Sequence, residues 1–230
     1  MKPLIDFDEE RARDYQRRGH LFIPAYDTFH DLTLALLERS LGKSAQVLAV
    51  GTGWGKELVT LALAQPDWKL TGLDPSAAMV GLARQTLTQN GLAGRVTLVE
   101  SQVADLPPVP TYDAITCLLV LHFLSPADQV NLLRQMALRL NPGGELVVVT
   151  LFGDPDTTEF HRQLDAWGKQ AFRSGWGSLE EIQERQERRR RDLHWLSEDQ
   201  ITHMLWETGF HSPRRFFQAL VVGGWIARKA

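Results

Sequence analysis

Val47-Leu48-Ala49-Val50-Gly51-Thr52-Gly53-Trp54-Gly55 decides how the rest of this chain is read. A short apolar run, of the length of a buried strand, ends in three glycines at alternate positions. Further on, Thr71-Gly72-Leu73-Asp74 closes a second apolar run on a carboxylate. Strand, glycine turn, helix and a second strand with an acid at its tip make the adenosine-binding half of a doubly wound sheet. Glycines admit a ligand to the backbone where any Cβ would collide. The acid can accept two hydrogen bonds from a ribose diol. The chain therefore reads as a binder of an adenosine-containing cofactor. In the dinucleotide form G-x-G-x-x-G, the third glycine packs the helix on the strand. Lys56 stands at that third position here, and the glycines at 51, 53 and 55 give G-x-G-x-G instead.

Composition bounds the function further. The 230 residues fit one large domain, and 43% hydrophobic residues is ordinary for a globular protein. A net charge of −3 calls for neither nucleic acid nor an anionic membrane as partner. The single cysteine, Cys117, excludes an intramolecular disulfide and a zinc cluster, so no metal site is expected. It sits in an apolar run, which points to a buried, inert thiol. Met1-Lys2-Pro3-Leu4-Ile5-Asp6 has no signal-like apolar core. No apolar stretch reaches the roughly 20 residues of a spanning helix. A cytoplasmic protein is expected, and its oligomeric state is left open.

Strands and helices alternate along the chain. Residues 1–45 read as an N-terminal helical segment, with a charged stretch at Arg11 to Arg18 and a helix carrying Leu32, Leu34, Leu36, Leu37 and Leu41. Strands are expected at 46–50, 68–73, 95–100, 113–120 and 145–151. Ser125-Pro126-Ala127-Asp128 is a helix start. Asn141-Pro142-Gly143-Gly144 is a turn into the fifth strand. Residues 153–196 carry no strand signal; Phe160, Leu164, Trp167 and Ala171 lie at helical spacing, and 179–191 is a charged helix. This stretch reads as a cap inserted after strand five that folds over the cofactor. Ser197-Glu198-Asp199-Gln200 is a capping box for a last helix. Two closing strands follow at 214–219 and 225–228, with Gly223-Gly224 near their turn. The expected fold is α/β: a doubly wound, seven-stranded, mostly parallel sheet with helices on both faces and a helical cap insertion. The principal domain would span 46–230.

Over about residues 45–228 this pattern resembles the class I, Rossmann-like S-adenosylmethionine-dependent methyltransferases. Gly51, Thr52, Gly53 and Gly55 match the family's glycine loop and Asp74 its ribose-binding acid. Ser101-Gln102-Val103-Ala104-Asp105-Leu106-Pro107 is similar to the loop after strand three. By the resemblance Gln102 takes the place of the acid that holds the adenine amino group, and Val103 that of the neighbouring backbone donor. Leu118-Leu119-Val120-Leu121-His122-Phe123 is similar to the fourth motif. The resemblance implies S-adenosylmethionine as cofactor, contacts from Pro75 and Leu118 as well, and methyl transfer as the activity. Ile23-Pro24-Ala25-Tyr26-Asp27 and the closing hairpin are similar to small bacterial members that include the carboxy-S-adenosylmethionine synthase. Met204 falls where that enzyme has an arginine for its extra carboxylate, so its reaction is not inferred. Ala49 departs from the family, which has Asp or Glu there to hold the cofactor's ammonium through water; Thr52 is a milder departure.

Each assignment has a plainer structural counterpart. The glycine N–H groups and the following helix N-terminus would face the methionine carboxylate; without ligand they make a tight turn. Asp74 would hold the ribose or cap the helix after Pro75. His122, at the tip of strand four, would be a general base or a packing histidine. Tyr26 would be a lid or half-buried core. Five of the seven tryptophans lie beyond residue 150. They would build the core of the cap or an aromatic chamber for a flat, apolar small-molecule acceptor. The arginines at 188–191 would belong to a solvated helix or meet RNA, in which case the chain methylates tRNA or another RNA. Two further readings remain at this point. One is an NAD-dependent enzyme, against which Lys56 argues; the other is a non-catalytic S-adenosylmethionine-binding protein, motivated by Ala49 and Gln102.

Overall fold

A computed structural model describes residues 8–230. The charged start at 1–6, read above as lacking a signal core, lies outside the described residues. Seven strands form one sheet in the order β3-β2-β1-β4-β5-β7-β6. They are β1 (Gln46–Val50), β2 (Lys69–Asp74), β3 (Val96–Glu100), β4 (Tyr112–Leu118), β5 (Leu140–Leu151), β6 (Phe210–Ala219) and β7 (Val222–Lys229). β1 to β5 pair in parallel, and β7 pairs antiparallel with both β5 and β6. The helices are α1 (Glu9–Phe22), α2 (Tyr26–Ser40), α3 (Lys56–Ala64), α4 (Ala77–Gln89), α5 (Pro126–Arg139), α6 (Thr158–Arg173), α7 (Leu179–Asp192) and α8 (Glu198–Glu207). Among the described residues, no helix is long and apolar enough to cross a membrane.

The parallel strands are buried on both faces, so they read as continuous apolar runs. Alternate residues feed two cores. Val47, Ala49, Ala114 and Val147 pack with Phe29 and Leu37 of α2 and Leu58 and Leu61 of α3. Leu48, Val50, Ile115 and Cys117 pack with Leu132, Leu133 and Met136 of α5 and with Ile201 and Leu205 of α8. In register, Ala49 lies beside Gly72 on one side and Thr116 on the other. The order reverses between β1 and β4, and a ligand crevice opens at the carboxyl ends of strands at such a switch point.

Several boundaries differ from expectation. The leucine-rich helix begins earlier, and its buried stripe is Tyr26, Phe29, His30, Thr33 and Leu37, while Leu32 is exposed. Residues 140–145 of β5 bulge opposite 112–114 of β4, so the Asn141–Gly144 turn lies inside the strand. Gly223 and Gly224 lie within β7, where a Cβ would meet the rings of Phe152 and Phe216 respectively. The turn is at Leu220-Val221 instead, with Leu220 at φ +55°.

The 153–196 segment forms α6 and α7 as expected, but it packs on α1. Trp167 Nε1 donates to the Phe22 carbonyl at 2.6 Å. Arg189 stacks over the Phe22 ring at 4.1 Å, and Arg185 over the Phe22 ring at 5.2 Å and the Trp176 ring at 4.8 Å. Desolvated stacking of this kind contributes about 2 kcal/mol per contact. The arginines of this helix thus include two that hold α7 onto α1.

α2 starts from Ala25, held at φ +53° with no side-chain cap. A left-handed non-glycine residue costs about 1–2 kcal/mol, less the entropy that glycine would lose on folding. Ala25→Gly should therefore raise stability by about 0.5–1 kcal/mol in urea denaturation. A lower stability than wild type would show that Ala25 is unstrained.

Candidate active site

At the carboxyl ends of β1, β2 and β4 lies a partly open cavity of about 360 Å³, within the roughly 300–1,000 Å³ of small-ligand sites. It has two poles joined by the glycine loop. One includes Asp74, Pro75, Met79, Gln102, Val103 and Leu132; the other is aromatic, where Tyr15 and Trp54 hydrogen-bond Tyr26 and the rings of Phe29 and His30 pack against it. Gly51, Thr52, Gly53 and Leu118 line the space between them.

Asp74 ends β2 and is only 8% exposed. Its Oδ1 accepts the Ser76 N–H at 2.9 Å and its Oδ2 the Gly53 N–H at 3.0 Å. Burial pushes the carboxyl above its ordinary value, and these two N–H groups hold it back. Each oxygen keeps a lone pair for a diol. The N-cap of α4 is Ser76, whose hydroxyl accepts the Met79 N–H, so the helix-capping alternative for Asp74 is not taken up.

The glycine loop departs from the expected arrangement. The N–H groups of Gly51 and Thr52 both donate to the Leu73 carbonyl, at 2.8 and 3.0 Å, and that of Gly55 donates to Thr52 O at 3.0 Å. With Gly53 tied to Asp74, these donors are spent on holding the loop against β2 rather than facing a ligand carboxylate. The first turn of α3, which has no side-chain cap, keeps its N–H groups and the positive end of the helix dipole. Gly55, at φ +90°, sits where a Cβ would lie 3.1 Å from Ala83 Cα, so it sets the approach of α4 to α3. Val103 and Gln102 line the cavity from a short 3₁₀ turn, which Asp105 steadies by accepting the Gln102 backbone N–H at 3.0 Å.

Tyr26 is buried against the loop. The Trp54 indole and Tyr15 hydroxyl hydrogen-bond its phenol, and burial raises it well above its ordinary value. It joins the wall on both sides, as core and as cover. His30 is the group that sequence reasoning missed. It is 5% exposed, and neither ring nitrogen has a hydrogen-bond partner among the described residues. Its ring lies 5.1 Å from that of Tyr26 and 4.5 Å from that of Phe29. Burial, assisted by Lys56, pushes it down to about 3, so at neutral pH it is an uncharged acceptor and donor. Glu57, in the first turn of α3, is 6% exposed and lines the same cavity.

His122 does not line the cavity, and this corrects the base assigned to it. The ring is 4% exposed. Its Nδ1 accepts the Leu151 N–H at 3.3 Å and lies 3.2 Å from Thr150 Oγ1. With that lone pair engaged, the proton belongs on Nε2 and none is taken up: burial pushes the ring down to about 3. His122 ties β4 to β5. The tryptophan chamber is corrected too. Trp167, Trp176 and Trp225 are buried, Trp195 packs edge-on to Phe160, and Trp206 is exposed on α8. Only Trp54, from the glycine loop, lines the cavity, and no residue of 153–196 does. The cover comes from α1 and α2, with α6 and α7 as a buttress behind α1. Cys117 is buried, and burial pushes its thiol up.

Comparison with known proteins agrees with this geometry. Residues 47–144 match the family model described as a methyltransferase domain. The chain is similar to the carboxy-S-adenosyl-L-methionine synthase of Yersinia enterocolitica, 27% identical over 230 residues, covering 97% of this chain and 84% of that protein. Among solved structures it is similar to magnesium protoporphyrin IX methyltransferase from Synechocystis PCC 6803 with bound cofactor. The TM-score there is 0.61 at 18% identity, over 98% of this chain and 87% of that one. An O-methyltransferase family protein from Burkholderia thailandensis gives 0.61 at 18% identity, over 100% and 64%. Several solved neighbours are longer, and this chain spans 56–64% of them.

Proposed function

We propose that this chain, similar to methyltransferases over residues 47–144 and to carboxy-S-adenosyl-L-methionine synthase over most of its length, is a class I S-adenosylmethionine-dependent methyltransferase that methylates a small molecule held at the aromatic pole of its cavity. The observation that carries this reading is His30: a buried imidazole with both nitrogens unsatisfied among the described residues, packed against the rings of Tyr26 and Phe29 in the cavity wall. A buried polar group without a partner costs about 1–3 kcal/mol. An acceptor hydroxyl or amine bonded to His30 recovers that cost.

The residues fit the cofactor. Asp74 offers two oxygens to a ribose diol, Gln102 and Val103 border the adenine end, and Gly53 has no protein atom within 4 Å of a hypothetical Cβ. When bound, S-adenosylmethionine supplies a methyl group already activated by its sulfonium. What remains for the protein is alignment and a dry wall. His30, held neutral, is a poor proton sink at pH 7. Its role is to accept the acceptor's X–H hydrogen bond, fix the direction of the reacting lone pair and, once the methylated atom has turned acidic, pass that proton on to solvent.

The curated relatives are named for making a carboxylated cofactor. A second carboxylate calls for a cation, and Lys56 is the only cationic side chain among the described lining residues. Its ammonium lies 2.9 Å from the Asp27 carboxylate. Met204, set against that enzyme's arginine, is buried on the core-facing side of α8. Methyl transfer is therefore the better reading. An RNA acceptor finds fewer free cations on α7 than the sequence offers: Arg185 and Arg189 are stacked, and Arg188 and Arg191 pair with Glu184 and Asp192 on the surface.

The test is a panel of aromatic and apolar hydroxyl and amine acceptors with S-adenosylmethionine, following S-adenosylhomocysteine release. His30→Gln should lower kcat/KM by roughly 10–100-fold and leave cofactor affinity and the shape of the pH–rate profile unchanged. Turnover on RNA alone, recovery of a carboxylated cofactor, or a His30→Ala enzyme within threefold of wild type would each displace this reading.

A further inference from the structure

We infer that Glu57 is the residue that receives the cofactor's ammonium, an inference that rests on the cofactor assignment above. Glu57 lies in the first turn of α3, just after the glycine loop, and hydrogen-bonds the Thr116 hydroxyl on β4, which also lies 3.4 Å from the Leu48 carbonyl. Thr116 pairs in register with Ala49, whose methyl group leaves room for a carboxylate from above. Glu57 lines the cavity, is 6% exposed, and its Oε1 has no hydrogen-bond partner among the described residues.

A buried carboxylate oxygen without a partner is costly. Asp74 is already tied to two backbone N–H groups at the other pole. Glu57 is the anionic acceptor left beneath the glycine loop, where the amino-acid half of the cofactor must pass. It takes the place of a carboxylate at position 49, supplied here from the helix instead of the strand.

The titratable groups on the surrounding elements are Lys56 on α3, Asp27 and His30 on α2, Cys117 on β4 and Asp74 on β2. Burial pushes the Glu57 carboxyl up to about 7, with Thr116 holding it back. At pH 7 roughly half of the unliganded molecules are thus protonated there. An ammonium selects the carboxylate, so binding at pH 7 should release about half a proton per site. Affinity should fall as pH drops below 7, approaching about tenfold per unit.

Isothermal titration calorimetry in two buffers of different ionisation enthalpy reads both quantities. The ligands are S-adenosylmethionine, S-adenosylhomocysteine and 5′-methylthioadenosine, which lacks the amino-acid group. Glu57→Gln should weaken the first two equally, by about 10–100-fold, and abolish their proton release. Methylthioadenosine should bind both proteins alike, which also shows that the variant is folded. An equal loss for methylthioadenosine would make Glu57 a support of the loop. Unchanged binding of S-adenosylhomocysteine would remove the contact, and a loss confined to S-adenosylmethionine would move it to the sulfonium. If no ligand binds the wild-type protein, the cofactor assignment fails with it.

Discussion

Asp74→Ala should weaken S-adenosylmethionine binding by roughly a hundredfold, about 2.7 kcal/mol. Hydrogen bonds to a charged group contribute about 1.5–3 kcal/mol each, and a ribose diol offers two. The carboxylate is also the tether of the loop: it fixes Gly53 at 3.0 Å and the Ser76 N–H at 2.9 Å. Alanine therefore removes two ligand bonds and frees the backbone that borders them. Asn keeps one acceptor oxygen, so Asp74→Asn should lose less, about tenfold. Both losses should be the same for methylthioadenosine, because the ribose is common to it. That separates Asp74 from Glu57, whose replacement spares methylthioadenosine. Calorimetry with each ligand decides the matter, and an Asp74→Ala protein within threefold of wild type would show that the ribose is held elsewhere.

That Gly51, Gly53, Asp74, Gln102 and Val103 would meet at one cavity was legible because backbone constraints write themselves into sequence. Gly51 and Gly55 are demanded by positive φ and by Val120 and Ala83, which crowd them, and Asp74 by the tip of β2. Such demands leave few residue types to choose from. The aromatic pole was not legible as a site. Tyr26, Phe29, His30, Thr33 and Leu37 follow the i, i+3, i+4, i+7, i+11 spacing of a buried helix stripe, so a periodicity signal existed. The spacing says that His30 is inside; it does not say that the neighbours leave both nitrogens unpaired. His122 shows the converse. A histidine at the tip of β4 had the expected address, but the Leu151 N–H of the adjacent strand claims its lone pair, a partner fixed only by sheet order. Glu57 was hidden for a third reason. A glutamate at the second position of a helix suits the dipole, and nothing local reports that its carboxyl turns inward over an alanine. The cap was placed by topology alone: 153–196 does follow β5, but Phe22, Trp167 and Trp176 bind it to α1, a contact between segments far apart in sequence.

Gly51→Ala and Gly53→Ala should fail in different ways, and the contrast tests what each glycine is for. At Gly51, φ is +70° and an added Cβ would fall inside contact distance of Val120 Cγ2. The backbone cannot swing away, since the Gly51 N–H is held to Leu73 O at 2.8 Å. Left-handed strain of about 1–2 kcal/mol and overpacking of about 1–3 kcal/mol together predict a stability loss of about 2–5 kcal/mol in urea denaturation. Val120→Ala in the same chain should return the overpacking share and leave the strain. Gly53 also has a positive φ, +52°, but its Cβ would meet no protein atom within 4 Å. Gly53→Ala should therefore cost only about 1–2 kcal/mol of stability, while its methyl group takes space that the cofactor's backbone-hugging atoms need. Its larger effect, tenfold or more, should appear in S-adenosylmethionine affinity. Equal stability losses at the two positions, with affinity unchanged at Gly53, would mean that the loop is shaped for its own turn and not for a ligand.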